Sequence, residues 1–383
     1  MQIEKLREAN EIRWWCREGM LYELDDWIRS GHVIPTEGDK NCSPLALAAG
    51  KGFHSLVMLL LRQTWPQSCL DVALGRAAAG GHLETIRLLL EHGSKIGEVV
   101  AKELVLCGNP EAVYLLVAKG VDIETGFPLA HEIANEVPNA LKLLRQGRNK
   151  LKTIRFQGAI ALQCLVRYER EHSVTRLIHA GASPRLEVPC LHDYENTRYS
   201  HPTSAMWEAF KSGSFRMFIR MGARKSDNLQ EYLNNSWYCK FEWSIMKQLI
   251  HRGAKINDQP AGGSTVIDSC LWQSGFFARY GMSQESSEKA FEAIGKLAEL
   301  GGRWVPDNHT IKDARFGLMK QDAHQWMKLA QLFVERHVAT PDTVWKLCNT
   351  KAVREHLGEN NWKLIAELCG RKVRSLNKYD RWR

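Results

Sequence analysis

The chain has 383 residues, of which 44% are hydrophobic and 25% charged, with a formal net charge of +9. That balance is ordinary for a folded protein and excludes the disordered, low-complexity and collagen-like classes. The longest purely apolar run, about Leu56 to Leu61, falls far short of the roughly 20 residues that cross a bilayer.

The N-terminus reads Met-Gln-Ile-Glu-Lys-Leu-Arg-Glu and lacks the apolar core of a signal peptide. An intracellular, cytoplasmic protein with no membrane partner is expected. Residues 11–32 carry Trp14-Trp15-Cys16, Gly19, Leu24, Trp27-Ile28 and Gly31, a capping pair of helices. A phrase is then written twice. Aligning Gly52 with Gly81 lays Ala48-Ala49 over Ala77-Ala78 and Leu59-Leu60-Leu61 over Leu88-Leu89-Leu90. Self-similarity at a period of roughly 30 residues marks stacked repeats. Further units follow in phase, ending at Gly120, Gly147, Gly181, Gly222, Gly253 and Gly301. These glycines, with Gly93, are expected as left-handed helix caps. Pro110 and Pro138 open second helices, where a missing N–H costs nothing. Leu89 and Leu90 are expected to fill the layer between units. Beyond residue 305 only helical periodicity remains, with an N-cap-then-Pro start at Thr340-Pro341-Asp342.

Ser43-Pro44-Leu45, Ala48-Ala49, Gly52, Leu59-Leu60, Gly81-His82 and Leu89-Leu90 resemble the ankyrin repeat. The resemblance is strong over 40–122 and degenerate over the rest of 8–304. It implies an all-α fold: a curved solenoid of stacked helix-turn-helix units with irregular loops and a helical C-terminal extension. The spacing divides it into 1–182, 183–304 and 305–383. The resemblance also implies that His82 hydrogen-bonds between repeats. It implies a non-enzymatic scaffold or inhibitor that binds a macromolecule through the concave face of turns and first helices. By register, the contact positions are Arg17, Glu18, Cys42, Gly50, Lys51, Ala79, Gly80, Lys211 and Ser212. Gly and Ala provide no anchor there, which moves the expected contacts to later residues.

Two units are longer than the rest, with the extra length in 183–203 and 272–287. Inserts in a solenoid emerge on one face and often bind. Charge and aromatics also shift along the chain. Residues 1–200 hold 24 Lys/Arg and 24 Asp/Glu, residues 201–383 hold 28 and 19, and nine of thirteen tryptophans follow residue 206. Interface hot spots favour Trp, Tyr and Arg. The candidate partner-binding residues are therefore Tyr194, Arg198, Tyr199, Trp207, Lys211, Trp237, Trp243 and Trp272, although a tryptophan in a repeat also serves as core. The tail adds Arg371, Lys372, Arg374, Lys378, Arg381 and Arg383 against Asp380. A protein partner with an acidic surface is expected. One alternative is a nucleic-acid-associated protein that uses this basic half, with Tyr379 or Trp382 stacking on bases. Another is an inhibitor or immunity protein for an acidic or DNA-mimicking partner.

Catalytic patterns are missing from the chain. His131-Glu132-Ile133-Ala134-Asn135 lacks the second histidine of a zinc-protease helix. Cys190, His192 and His201 have no second close pair to complete a metal site. Neither G-x-x-x-x-G-K-[ST] nor G-x-S-x-G occurs. No catalytic residue, metal or cofactor is expected. Ten scattered cysteines without a C-x-x-C pair read as reduced, buried small hydrophobes, Cys107 and Cys164 among them.

Overall fold

The computed structural model describes residues 2–36, 39–189, 202–222, 229–236, 241–258, 265–273, 284–307, 310–312, 314–315, 319 and 323–372. Contacts group the chain into two units, Met1–Glu208 and Ala209–Arg383.

The first unit is a run of helix pairs: α1 (Gln2–Glu18) with α2 (Leu21–Arg29), α3 (Pro44–Lys51) with α4 (His54–Leu60), and α5 (Gln67–Gly80) with α6 (Leu83–Glu91). It continues through α7 (Ala101–Leu106) and α8 (Pro110–Ala118), α9 (Pro128–Ala134) and α10 (Pro138–Gly147), and α11 (Lys152–Arg167) and α12 (Glu171–Ala180). First helices pack in one row, α1 on α3, then α5, α7, α9 and α11. Second helices pack in another, α2 on α4, then α6, α8, α10 and α12. Each pair therefore rests on its immediate neighbours, which is the all-α stacked-repeat arrangement.

Local chemistry explains the pairs. Ser43 Oγ accepts the Ala46 N–H at 3.2 Å, capping α3 above Pro44 in its first turn. Ala48, Ala49, Ala77 and Ala78 are buried, so α3 and α5 approach closely. Gly52 closes α3 in the left-handed region at φ +74°. A Cβ there would also lie 2.4 Å from His82 Nδ1, so glycine is needed twice over. Side chains opening the second helices stitch the repeats together. His82 Nε2–H donates to the Gly50 carbonyl at 3.2 Å, Asn109 Nδ2 to Gly81 at 2.8 Å and Asn139 Nδ2 to Leu106 at 2.7 Å. Each bond satisfies an orphan carbonyl at the end of the preceding first helix.

Three expectations are corrected. Gly93, Gly120, Gly181, Gly222, Gly253 and Gly301 do have positive φ, but Gly147 does not. It is the last helical residue of α10, and a Cβ on it would lie 2.5 Å from Ile154 Cδ1, so packing selects the glycine. Leu89 is fully buried while Leu90 is only half-buried, because consecutive helical residues point about 100° apart. Cys42 is exposed and Cys107 only half-buried, whereas Cys16, Cys69 and Cys164 are buried. Burial pushes the Cys16 thiol up to about 12.

α13 (Ala205–Lys211) carries the boundary between the units. The second unit continues with α14 (Phe215–Arg220), α15 (Leu229–Asn234), α16 (Trp243–His251), α17 (Val266–Gln273) and α18 (Gln284–Glu299). Phe210, Phe218 and Tyr232 form an aromatic cluster with centroids 5.1–5.8 Å apart. The expected 272–287 insert is partly helical, since its last four residues form the first turn of α18; residues 274–283 lie outside the described residues. Trp304 is buried and its Nε1–H donates to Asp268 Oδ1 at 2.7 Å. Asp268 Oδ2 accepts the Thr265 N–H and hydroxyl, both at 2.8 Å, closing a capping box at α17. Beyond residue 322, α19 (Ala323–Glu335) packs on α20 (Pro341–Cys348), α21 (Lys351–Leu357) and α22 (Glu359–Leu368). α22 also packs on α20 and α21, so this end is a small bundle and not a row. Among the described residues there is no strand; Val188 and Thr203 form one isolated antiparallel bridge.

Candidate functional site

In the first unit, the loop ahead of α9 departs from the regular pattern. Asp122 Oδ1 accepts the N–H groups of Glu124 at 2.7 Å and Thr125 at 3.2 Å, and Oδ2 accepts the Thr125 hydroxyl at 2.5 Å. These bonds, the Thr125 hydroxyl foremost, hold the Asp122 carboxyl below its ordinary range. Phe127 then adopts φ 47°, ψ 52°, a left-handed conformation that a bulky side chain rarely takes. Such strain costs about 1–3 kcal/mol and persists only where the surroundings over-determine it. Here Gln157 of α11, fully buried, supplies the restraint. Its Oε1 accepts the Leu129 and Ala130 N–H groups at 2.9 and 3.1 Å, and its Nε2 donates to the Ile123 carbonyl at 2.6 Å. One side chain thus caps α9 and pins both ends of the loop.

The loop and the first turn of α11 enclose a cleft of about 490 Å³, lined by Glu124, Phe127, Lys152, Thr153, Arg155, Phe156 and Leu186. The volume lies within the span of ligand sites, roughly 300–1,000 Å³. The Phe127 and Phe156 rings lie 6.1 Å apart at an interplanar angle of 56°. Leu151 gives α11 no side-chain cap, and the first turn of that helix holds no acidic residue. Nearby, Lys102 pairs with Glu132 at 3.2 Å, Lys150 with Glu111 at 2.6 Å, Arg167 with Glu208 at 3.2 Å, and Arg176 with Glu136. Lys152 and Arg155 are exposed and have no ion pair among the described residues.

The 183–203 insert begins at the same place. Val188 and Thr203 exchange backbone hydrogen bonds at 3.0 and 3.1 Å, closing its base. Gln163 of α11 donates to the Thr203 carbonyl at 3.1 Å and to its hydroxyl at 2.5 Å. Leu186, on the outgoing side of this closure, is part of the cleft wall.

Of the residues proposed from sequence, Tyr194, Arg198, Tyr199 and Trp237 lie outside the described residues, as do Arg374, Lys378, Arg381 and Arg383. Trp207 and Trp272 are half-buried, and Lys211 is exposed at the end of α13. Trp243 is half-buried with Lys296 Nζ 5.6 Å from its ring centroid. Arg371 is exposed and ion-paired with Asp342; Lys372 is exposed. Trp304, Trp326 and Trp362 are core. His131 is exposed while the adjacent Glu132 is buried and paired with Lys102, so the two do not converge. The cleft residues Phe127, Lys152, Arg155, Phe156 and Leu186 escaped sequence reasoning. A signal was present: Gly126-Phe127-Pro128-Leu129 puts a ring where the ankyrin turn carries threonine.

No family model matches the chain, and no curated protein does. Among solved structures it is similar to the human ASB11 ankyrin repeat domain, at 17% identity over 73% of this chain and 95% of that one, with a TM-score of 0.28. The repeat fold is carried by the two helix rows themselves. Among the described residues no helix is long and apolar enough to cross a membrane.

Proposed function

We propose that this chain is a non-catalytic binding protein. It takes a protein partner on the face of the first unit where the loop before α9, the first turn of α11 and the base of the 183–203 insert meet. The observation that carries this reading is the aromatic cleft flanked by Lys152 and Arg155, two exposed cations with no ion pair among the described residues. The insert residues Tyr194, Arg198 and Tyr199 extend the contact, and the half-buried Trp207 and exposed Lys211 are secondary candidates. The partner presents an acidic surface. The regular repeats at 43–93 act as scaffold: Gly50 lies under Arg76, and a Cβ on Gly80 would fall 2.4 Å from His82 Nε2, so their small residues serve stacking.

The test is affinity capture from the native source with four proteins: wild type, a variant with residues 190–201 replaced by a short Gly-Ser bridge, Lys152→Glu/Arg155→Glu, and Lys51→Ala/Arg76→Ala. The second and third are expected to lose the partner while keeping the melting temperature, and the fourth to keep it. The reverse pattern would put the interface on the regular repeats. Loss of the partner only when the tail from Arg371 is removed would favour the nucleic-acid alternative.

A further inference from the structure

The same cleft says what its occupant is made of. We infer that it receives a bulky apolar side chain, Phe or Leu in kind, from an acidic peptide segment of the protein partner; this rests on the binding face proposed above.

Three features fit that chemistry. The walls are mostly hydrocarbon: Phe127, Phe156 and Leu186 are each half-buried, with part of their apolar surface still open to solvent in the cleft. Seating an apolar side chain against these walls removes water from both partners, and a buried large side chain contributes enough for roughly 10- to 100-fold in affinity. The rim on the α11 side is cationic, through Lys152 and Arg155 one turn apart. Residues three apart on a helix are neighbours on its surface, so both charges can meet carboxylates beside a single anchor. The rim on the loop side carries Glu124, which is also exposed. Its charge disfavours acids there, so the acidic residues of the peptide belong on one side of the anchor. That asymmetry sets the direction in which the segment lies. The loop itself is preorganised: Gln157 and Asp122 hold Phe127 in its strained conformation before any ligand arrives. A ready-made wall lowers the ordering cost of binding.

The probes are fluorescein-labelled synthetic peptides of Gly and Ser bearing one central Phe with three Glu on its N-terminal side, three Glu on its C-terminal side, or none. A fourth replaces Phe with Ala, and a fifth replaces each Glu with Gln. Fluorescence polarisation against the full chain is expected to show binding by one Glu-flanked orientation over the other by at least about threefold. The Ala-anchor and Gln peptides should each be weaker by about tenfold or more. Lys152→Glu/Arg155→Glu, both exposed positions, should lose about tenfold with an unchanged melting temperature. Leu186→Ala should lose affinity for the Phe peptide and not for the Ala peptide. Equal binding by the Ala-anchor peptide, indifference to charge reversal at 152 and 155, or no binding by any peptide would overturn the inference. Displacement of the peptide by oligo(dT) at equal charge concentration would overturn it in favour of a nucleic acid. If partner capture depends on this face but no acidic peptide binds, the occupant chemistry is wrong and the binding face stands. If the peptides bind as expected but capture is indifferent to the face, it is the functional reading that fails.

Discussion

The stretches α3–α8 and α9–α12 are built from the same helix pairs, yet they satisfy the polar groups at helix ends in different ways. In α3–α8 the tie is made at the surface of contact: His82 and Asn109, opening one second helix, reach the carbonyls of Gly50 and Gly81 ending the previous first helix. Glycines and buried alanines let these repeats approach closely. In α9–α12 a second kind of tie, from mid-helix, is added to the bond that Asn139 makes to Leu106. Gln157 reaches back into the preceding loop and takes over the first-turn amides of α9. The connection so held keeps Phe127 in the left-handed region, and the cleft lies beside it. The lesson is that a stacked-repeat chain can open a cleft where it departs from its own stacking rule, with a buried polar group satisfying the backbone there.

The comparison can be broken by mutation. The largest effect is expected in the regular stack. Leu89→Ala should destabilise the first unit by about 2–5 kcal/mol as a core cavity, read from the urea transition, while Leu90→Ala at a half-buried position should cost less than half as much. A cost below about 0.5 kcal/mol for Leu89→Ala would remove the nearest-neighbour stacking argument. Next comes Gln157→Leu, which strands two amides and one carbonyl. It should cost about 3 kcal/mol, since each buried unsatisfied group is worth about 1–3. Amide exchange at Leu129 and Ala130 should accelerate, and Gln157→Glu, which keeps the acceptor, should spare those two amides. His82→Ala breaks one inter-repeat bond with a half-buried ring and should cost about 1 kcal/mol. If it equals or exceeds Gln157→Leu, the two stretches do not differ as described. The smallest effect is electrostatic. Asp122 has a lowered folded pKa, so its contribution is present above the unfolded value of about 3.9 and is lost as pH falls below that toward the folded one. Exchange at the Glu124 and Thr125 amides, corrected for intrinsic rate, should therefore quicken as pH falls below about 4, and Asp122→Asn should flatten that dependence.

Much of this architecture is legible in the amino acids. Gly52, Gly81 and Gly181 announce their turns because only glycine enters the left-handed region without penalty. Pro44, Pro110, Pro138 and Pro341 announce helix starts, and Ala48-Ala49 and Ala77-Ala78 announce close helix contacts. These are local rules, read from a residue and its immediate neighbours. Gly147 shows the limit: it looks like the other repeat-ending glycines, yet it is selected by the approach of Ile154. The cleft lies beyond that limit altogether. Gln157 looks like any polar residue in a helical run, and nothing within several positions reveals that it is buried or that it caps a helix 27 residues earlier. Phe127 and Phe156 become one wall only when α9 and α11 stack, and the same stacking places Lys152 and Arg155 at its rim. Local sequence determined where the chain turns and which residues form its helices, because backbone conformation is a short-range property. The tertiary structure alone decided which side chains meet, because stacking brings together residues that the chain keeps about one repeat apart.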